Sequence, residues 1–390
     1  MDHLKPVSSL SLALLGSTGS IGRQSLDVAR HLGLRVTALA AGRQAAELEA
    51  QVREFRPAAC ALADPAGAAE LKIRLADLPV KVYSGTDGIC AMLEELRDTD
   101  LVLNAIVGMA GLRPTVTALR CGYPLALANK ESLVCGGELV MALAKEKNLP
   151  ILPVDSEHSA IFQSLHAGKR EEVRRILLTA SGGPFFGRNK EELYGMTAAE
   201  ALAHPTWSMG AKITVDSATM MNKGFEVIEA VHLFGVAPAQ IEVVVHRESV
   251  IHSMVEYLDR SVIAQMASPD MRDCIQYAIT YPRRLESDVA PLDFAALGKL
   301  TIFEPDGENF PLLPLAYDAI SRGGVVPSCM NGANEAAVAA FLGGKIPFGK
   351  ISEIVQAVTS ASPTMKDPTL AEILSCGEEA MAKAAELAVC

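Results

Sequence analysis

Two acidic side chains follow a short apolar run in the segment ILPVDSEHSAIFQ (151–163), with a serine between them. In an extended chain alternate side chains point to the same side, so Asp155 and Glu157 would face one way together. Two carboxylates at that separation repel each other unless a positive charge lies between them. The spacing therefore indicates a cation site, which needs a further acidic ligand from elsewhere in the chain.

The candidate third ligand is Glu226, in the segment MNKGFEVIEAVHLFG (221–235), where the pattern predicts a helix from Asn222 onward. The i, i+4 spacing puts Asn222 and Glu226 on one face of that helix. Three oxygen ligands of this kind favour Mg²⁺ or Mn²⁺ over zinc. Two plainer interpretations stay open: Asp155 caps the following helix, and Lys223 forms a surface ion pair with Glu226.

Polar side chains that suit a phosphate group occur in the same third of the chain. Ser217, Asn222 and Lys223 form a compact set of hydrogen-bond donors. Ser181 opens the sequence SGGP, in which two glycines leave backbone amides accessible, so we expect it to join this set. The combination predicts an anionic substrate that is held close to the cation.

A long connection rich in glycine and proline, about residues 181–211, contains Trp207, the only tryptophan of the chain. In one interpretation the indole is a packed anchor. In the other, the connection is a mobile lid that closes over a substrate, with His204, Trp207 and Met209 on its inner face. Loops of this length inside a compact domain are usually functional or disordered.

The elements that must position these residues begin with a strand, a glycine turn and a helix in the segment 11–44. Glycines 16, 19 and 22 give the spacing G-x-x-G-x-x-G. Glycines at such a turn allow the backbone to approach a pyrophosphate, which binds at the helix N-terminus. Thr18, Ser20 and Ile21 would offer backbone amides there, so the segment predicts a dinucleotide site.

The end of the second strand predicts which dinucleotide binds. NAD sites usually carry an acidic residue at this point, but here the sequence is AAGRQ, with Arg43 and Gln44 in its place. A guanidinium suits the 2′-phosphate of NADPH. The alternative is that Arg43 only begins the next helix on its solvent face.

The remaining pattern predicts an α/β protein of three domains. Asn104, Asn129 and Lys130 follow predicted strands, at the edge where doubly wound sheets bind ligands. The predicted parts are a Rossmann-like domain (1–150), an α+β catalytic domain with an antiparallel sheet (151–285), a linker (286–311) and an all-α domain (312–390). Helices are predicted in the last part at 313–323, 327–342, 348–361 and 369–388.

Composition excludes several classes of protein. The 390 residues are enough for two or three domains, and a formal net charge of -11 argues against nucleic-acid binding. The eight scattered cysteines include no Cys-x-x-Cys pair, which argues against zinc or disulfides and favours a cytoplasmic enzyme. The first apolar run is too short for a membrane span.

Six segments together resemble the 1-deoxy-D-xylulose 5-phosphate reductoisomerase family: GSTGSIG, LANKESLV, VDSEHSAIFQ, LTASGGPF, HPTWSMGAKITVDSATMMNKGFEVIEA and SVIHSMVEY. The resemblance runs from about residue 8 to the C-terminus. It implies a homodimer that uses NADPH and a divalent metal ion. It also implies isomerisation by retro-aldol and aldol steps, followed by reduction to 2-C-methyl-D-erythritol 4-phosphate, in non-mevalonate isoprenoid synthesis.

The resemblance assigns roles to side chains. It implies that Asp155, Glu157 and Glu226 bind Mg²⁺ or Mn²⁺, with Co²⁺ as a further candidate, and that Lys130 and His204 join these three as catalytic residues. The implied substrate positions are Lys130, Ser156, Glu157, Ser181, His204, Trp207, Met209, Ser217, Asn222, Lys223, Glu226 and His252. The implied NADPH positions are Thr18, Gly19, Ser20, Ile21, Gly42, Arg43, Gln44, Asn129, Glu131 and Gly210.

The sequence departs from the family pattern at two positions, Ala180 in LTAS and Thr206 in HPTW, and neither change removes a functional group that the chemistry needs. Two rival functions remain at this point. One is another NADPH-dependent oxidoreductase that shares only the first domain and needs no metal. The other is a non-enzymatic NADPH sensor, which would leave the three acids and the phosphate donors without a purpose.

Overall fold

A computed structural model describes residues 5–389. These residues form two compact units. The first comprises the chain up to Ser132 together with Val140–Asp155 and Asp270–Val289, and the second comprises Leu133–Leu139, Ser156–Pro269 and the chain from Ala290. The predicted division into three domains stays a prediction, although the segment 270–289 lies in the first unit rather than with the catalytic domain.

The first unit contains a seven-stranded sheet in the order β4-β3-β2-β1-β5-β6-β7, in which every neighbouring pair is parallel. This is the predicted Rossmann-like architecture, and it is confirmed. Its elements are β1 Ser11–Leu15, α1 Ser20–Leu32, β2 Arg35–Ala41, α2 Ala45–Phe55, β3 Ala59–Leu62, α3 Pro65–Arg74, β4 Lys81–Ser84, α4 Gly85–Glu95, β5 Leu101–Asn104, α5 Leu112–Arg120, β6 Leu125–Leu127, α6 Lys130–Lys147 and β7 Ile151–Pro153.

The glycine turn after β1 is required by close packing. Gly16 has a φ of +85°, and a Cβ there would lie 2.4 Å from the carbonyl oxygen of Ala105. A Cβ at Gly22 would lie 2.2 Å from the oxygen of Gly16, so the first turn of α1 packs directly on the turn that precedes it. Both positions exclude any side chain, which explains the spacing in the sequence.

The second unit contains a four-stranded sheet in the order β11-β10-β8-β9. In chain order, the elements of this unit as far as the last strand are α7 Ser156–Ser164, β8 Val173–Ala180, α8 Lys190–Tyr194, α9 Ala198–Ala201, α10 Ala211–Ala218, α11 Met221–Phe234, β9 Ile241–Val245, β10 Ile251–Tyr257 and β11 Val262–Met266. The antiparallel prediction is wrong for one pair, because β8 and β9 run parallel with Ala180 beside Val245. The sheet is therefore mixed, and the carboxyl ends of β8 and β9 are neighbours.

One local prediction in this unit needs correction. Helix α7 begins at Ser156, so Glu157 lies in a first helical turn and the alternation of an extended strand does not apply to it. The connection 181–211 is not structureless, since it contains α8 and α9 and leads into α10.

The last part of the chain divides between the units. Helix α12, Met271–Thr280, packs in the first unit against α1, β6 and β7. The second unit ends with α13 Phe294–Leu297, α14 Leu312–Arg322, α15 Val326–Leu342, α16 Phe348–Ser360 and α17 Leu370–Leu387. The last four agree with the predicted helices to within one residue at every end. Among the described residues, no helix is long and apolar enough to cross a membrane.

Candidate active site

The acidic side chains of the second unit meet where α7 and α11 begin. Glu226 is 1% exposed, and its carboxylate accepts a hydrogen bond from the Asn222 side chain one turn earlier. The ammonium group of Lys223 lies 2.9 Å from Oε1 of Glu157 and also donates to Glu226. Ser156 donates its hydroxyl to the other oxygen of Glu157. The two carboxylates therefore share one buried positive charge.

Asp155 stands directly before this helix in the chain. Its carboxylate lies 3.1 Å from the ammonium of Lys130, the first residue of α6, and both side chains are largely buried. One oxygen each of Asp155, Glu157 and Glu226 lies within 4.8 Å of the others. Oxygen ligands about 2.1 Å from Mg²⁺ are at most about 4.2 Å apart, so the group matches a hard cation after a small contraction. The donor set is the one that the sequence predicted.

Lys223 was expected among the phosphate donors, yet its ammonium lies between two predicted metal ligands. Asn222 likewise donates to Glu226. The interpretation of Lys223 and Glu226 as an exposed surface pair is wrong, because Lys223 is 4% exposed. In this arrangement the ammonium stands in for the positive charge that the carboxylates need.

A second site lies at the carboxyl end of β8, in the loop Ser181–Gly183. Gly182 and Gly183 both have positive φ values, 75° and 65°. A Cβ at Gly183 would lie 2.6 Å from the carbonyl oxygen of Ser217, so the loop packs closely on the last turn of α10. The loop that begins with the predicted phosphate donor Ser181 therefore lies against the backbone of a second predicted donor, Ser217.

His204 is held in one tautomer by its contacts. Its Nδ1 accepts the backbone N–H groups of Thr206 and Trp207 at 3.2 and 2.9 Å, so the ring proton resides on Nε2. Nε2 lies 2.9 Å from Oγ of Ser181 and donates to it. Burial of the ring, reinforced by the charge of Arg247, lowers the pKa of His204 to about 4. The imidazole is therefore neutral at physiological pH.

The other predicted substrate positions lie in the same unit. The rings of Trp207 and His252 are 6.2 Å apart, and His252 is buried in β10. Met209 is half-buried close to the start of α10. The connection thus brings an aromatic and an imidazole side chain together, which agrees with both interpretations of Trp207.

The predicted NADPH positions of the first unit lie around two helix N-termini. Thr18 donates to Gln44 at 2.9 Å, and Gly19 is the N-cap of α1. Asn129 is the N-cap of α6 and donates to the side chain of Glu131 and to two carbonyl oxygens of the loop after β5. Both helix ends direct backbone amides toward the edge of the sheet, as an anionic ligand requires.

The remaining NADPH positions are exposed, except Ile21, which is half-buried. Gly42 and Arg43 lie at the end of β2, and α2 begins only at Ala45. The alternative that Arg43 begins this helix is therefore not what the structure shows. Gly210 belongs to the second unit, where it is the N-cap of α10.

Two groups of residues around the sites were missed in the sequence. Arg247 lies just beyond β9 and donates to the carbonyl oxygens of Ser181 and Gly183. Asp216, next to Ser217, is buried and accepts hydrogen bonds from Asn334 of α15 at 2.7 Å and from Lys212 at 2.9 Å. Arg247 could have been found only if the direction of β9 had been known. The contact between Asn334 and Asp216 has no local signal in the sequence, because more than a hundred residues separate the two.

Comparison with known proteins decides the family. Residues 12–137 match the family described as 1-deoxy-D-xylulose 5-phosphate reductoisomerase, and residues 151–234 and 266–383 match descriptions of its C-terminal domains. A reductoisomerase of this name from Bacteroides thetaiotaomicron is 48% identical over 99% of this chain and 100% of its own. The chain belongs to the 1-deoxy-D-xylulose 5-phosphate reductoisomerase family.

Solved structures of the reductoisomerase family share the fold over nearly the whole chain. The Zymomonas mobilis reductoisomerase in complex with NADPH is 42% identical, with a TM-score of 0.90 over 97% of this chain and 99% of its own. A reductoisomerase in complex with NADPH, fosmidomycin and magnesium is 39% identical, with a TM-score of 0.92 over 97% of this chain and 98% of its own. A curated relative from Chlorobium chlorochromatii is 52% identical over 93% of this chain and 96% of its own.

The family match extends well beyond the first unit. Residues 151–383 are largely covered by the two C-terminal domain descriptions. A different oxidoreductase that shares only the dinucleotide domain is therefore excluded. The roles of individual side chains are not settled by this likeness and stay predictions.

Proposed function

We propose that this protein converts 1-deoxy-D-xylulose 5-phosphate into 2-C-methyl-D-erythritol 4-phosphate, with NADPH and a divalent Mg²⁺ or Mn²⁺ ion. The observation that carries the proposal is the grouping of Asp155, Glu157 and Glu226, whose oxygens suit a hard cation. Its solved relatives contain NADPH and magnesium. The family membership and this donor set support the same chemistry.

The metal site would be held by Asp155, Glu157 and Glu226. A divalent ion there would supply Lewis-acid chemistry to the carbonyl and adjacent hydroxyl of the ketose, for an isomerisation of the retro-aldol and aldol type. The ammonium of Lys130 is paired with Asp155 and is proposed to stabilise developing negative charge on substrate oxygen. Ser156 is proposed to bind a substrate hydroxyl.

The phosphate end of the substrate would be bound by the Ser181–Gly183 loop. Because Oγ of Ser181 accepts from His204 and from the amide of Gly183, the hydroxyl proton of Ser181 is left to donate to an anion. Ser217 lies beside this loop and is proposed to add a second hydroxyl. Lys223 and Asn222, which here contact the carboxylates of Glu157 and Glu226, are proposed to complete the set when those carboxylates hold a divalent ion instead. Phosphate binding at this remote end would supply free energy for closure of the predicted lid.

NADPH would bind in the first unit and supply the hydride for the reduction. Because Gly16 and Gly22 have no Cβ, the turn after β1 packs closely against the first turn of α1, and the pyrophosphate is proposed to bind at the N-terminus of this helix. Arg43, exposed at the end of β2, is proposed to bind the 2′-phosphate. This fits the preference for NADPH that the sequence predicts.

The experiment that tests the function is the oxidation of NADPH, followed by absorbance, with the pentulose phosphate as substrate. We expect turnover with Mg²⁺ and none after EDTA treatment, and we expect Glu226→Gln to abolish turnover while NADPH affinity is retained. Glu353→Gln, which alters an exposed ion pair of α16, is the matched control and should retain full activity. Turnover that survives EDTA, or full activity of Glu226→Gln, would reject the proposal.

The predicted homodimer is part of the same proposal. Strand β11 is an edge strand, and its residues Val262 and Ile263 are 46% and 37% exposed. An exposed apolar edge invites pairing with another strand, so a second copy of the chain would cover it. Light scattering after gel filtration should give twice the mass of the 41.3 kDa chain, and Val262→Lys should shift it toward the monomer. The cytoplasmic location stays a prediction.

A further inference from the structure

Arg247 is the residue outside the predicted site that contacts it most directly. It lies two residues beyond β9, which runs parallel to β8, and the amide of His246 donates to the carbonyl of Ala180 at 2.7 Å. The parallel pairing therefore places Arg247 beside the loop that follows β8. None of the roles implied by the family resemblance involves this arginine.

The guanidinium of Arg247 is bound to the loop by two hydrogen bonds. One nitrogen, Nη1, donates to the carbonyl oxygen of Ser181 and, at 2.8 Å, to that of Gly183. The ring of Phe186, three residues further on, lies 5.1 Å from the guanidinium carbon. Arg247 thus contacts the main chain at both ends of the loop and one aromatic ring beyond it.

We propose that Arg247 is a positioning residue for phosphate recognition, holding the Ser181–Gly183 loop in the conformation in which Ser181 can donate to the phosphate. This inference rests on the proposed function. The two glycines of the loop have positive φ values and wide conformational freedom, so the loop needs an external contact to keep one shape. A loop fixed before binding loses less entropy when the anion arrives.

The hydrogen bonds of Ser181 show which position of its hydroxyl the contact with Arg247 would maintain. Its Oγ must stay within reach of both the Gly183 amide at 3.1 Å and His204 at 2.9 Å. A rotation of the Ser181–Gly182 peptide would move the carbonyl away from Arg247 and would allow Gly183 to move its amide away from Oγ of Ser181. The positive charge behind the loop also favours the approach of a dianion.

The identity of the side chain matters for this role. A guanidinium has several donors in a fixed plane, can bind two carbonyls and can stack on an aromatic ring at once. A lysine ammonium retains the charge but not the planar stacking. We therefore expect Arg247→Lys to keep part of the function and Arg247→Met to lose it.

The test compares Arg247→Met, Arg247→Lys and the control Arg260→Met, which alters an exposed arginine on the β10–β11 turn. We expect Arg247→Met to raise KM for the pentulose phosphate about tenfold or more, corresponding to a single lost anchor, with a smaller change in kcat. Competitive inhibition by inorganic phosphate should weaken by a similar factor, and NADPH affinity should not change. Arg247→Lys should fall between, and Arg260→Met should match the unaltered protein.

Other outcomes overturn the proposal. If Arg247→Met lowers kcat with KM and phosphate inhibition unchanged, or lowers NADPH affinity equally, the arginine has no specific role in phosphate recognition. If Arg247→Met does not fold, as judged by its thermal unfolding, the same split must appear in Arg247→Lys, and its absence there refutes the idea. A failure of the unaltered protein to turn over the substrate would instead refute the proposed function.

Discussion

The acidic cluster and the phosphate loop solve opposite electrostatic problems in different ways. In the cluster, Glu157 and Glu226 stand on helices, and the compensating charge of Lys223 lies between them. In the loop, no formal charge lies among Ser181, Gly182 and Gly183, and the charge of Arg247 lies behind the main chain. The cation site is thus built from charged side chains, whereas the loop of the proposed anion site depends on a backbone shape that a hydrogen-bonded arginine is proposed to maintain.

The difference predicts where each site is vulnerable. Breaking a buried ion pair leaves an uncompensated charge, so the cluster should lose stability when its lysine is removed. The loop should lose function through changes in conformation, since its donors are neutral and its shape depends on two glycines. The following experiments separate these effects, in order of decreasing size.

Removing the ammonium of Lys223 should have the largest effect. In the metal-free protein, Lys223→Met leaves two carboxylates without their shared charge, so we expect the free energy of unfolding to fall by about 3–5 kcal/mol. Urea titration measures this loss, and added Mg²⁺ should restore part of it. Lys350→Met is the matched control, because Lys350 and Glu353 form an exposed pair with the same i, i+3 spacing. An equal loss of unfolding free energy in Lys223→Met and Lys350→Met would show that the buried ammonium is no more important for stability than an exposed one.

A methyl group in the phosphate loop should come next. Gly183→Ala adds a Cβ where φ is +65° and where the oxygen of Ser217 would be 2.6 Å away, so we expect a cost of about 1–3 kcal/mol and a raised KM. Gly187→Ala is the control, since its φ is +83° but no atom lies within 4 Å of the new carbon. Thermal unfolding and KM of both variants separate backbone strain from collision. A KM increase in Gly187→Ala alone would contradict the assignment.

Arg43 is proposed to bind the 2′-phosphate of NADPH directly, whereas Arg247 is proposed to act on the substrate phosphate through the Ser181–Gly183 loop. We expect Arg43→Asp to weaken NADPH binding about tenfold while NADH binding changes little, because only NADPH carries the 2′-phosphate. Fluorescence titration with both nucleotides measures the ratio. Arg56→Asp, at another exposed arginine of the first unit, should leave both affinities as they are. Equal losses for the two nucleotides would refute the role of Arg43.

The last effect, which is absent at neutral pH, concerns protonation of His204. Because burial lowers its pKa to about 4, the folded protein binds no proton there at pH 5 while the unfolded chain, with an ordinary pKa of 6.5, does. This residue therefore makes stability fall as the pH drops from about 6.5 toward 4, and it makes no difference above that range. Nitrogen NMR of labelled histidine should show the Nε2–H tautomer down to pH 5. Titration near pH 6.5 would mean that the ring is not held as described.

The two sites also differ in how far the sequence could predict them. Helical spacing is a local property, and it predicted that Asn222 and Glu226 share one face of α11, where their side chains are hydrogen bonded. Glu157 was grouped with Asp155 from an alternation that does not apply, since the helix starts at Ser156. Arg247 could not be found from the sequence, because an antiparallel β9 would have ended beside the start of β8, far from Ser181 at its carboxyl end. The direction of one strand thus determined which residue was missed.

The buried hydrogen bond between Asn334 and Asp216 bears on any attempt to shorten this polypeptide. The sequence predicts the C-terminal helices to be a separate domain, which makes them an obvious choice for deletion in a shortened variant. Their amide, however, holds a carboxylate whose immediate neighbour is Ser217. A version that stops before residue 312 would expose the face of α10 that α15 covers and would remove one of the two partners of Asp216, so we expect the smallest active form of this enzyme to include α15.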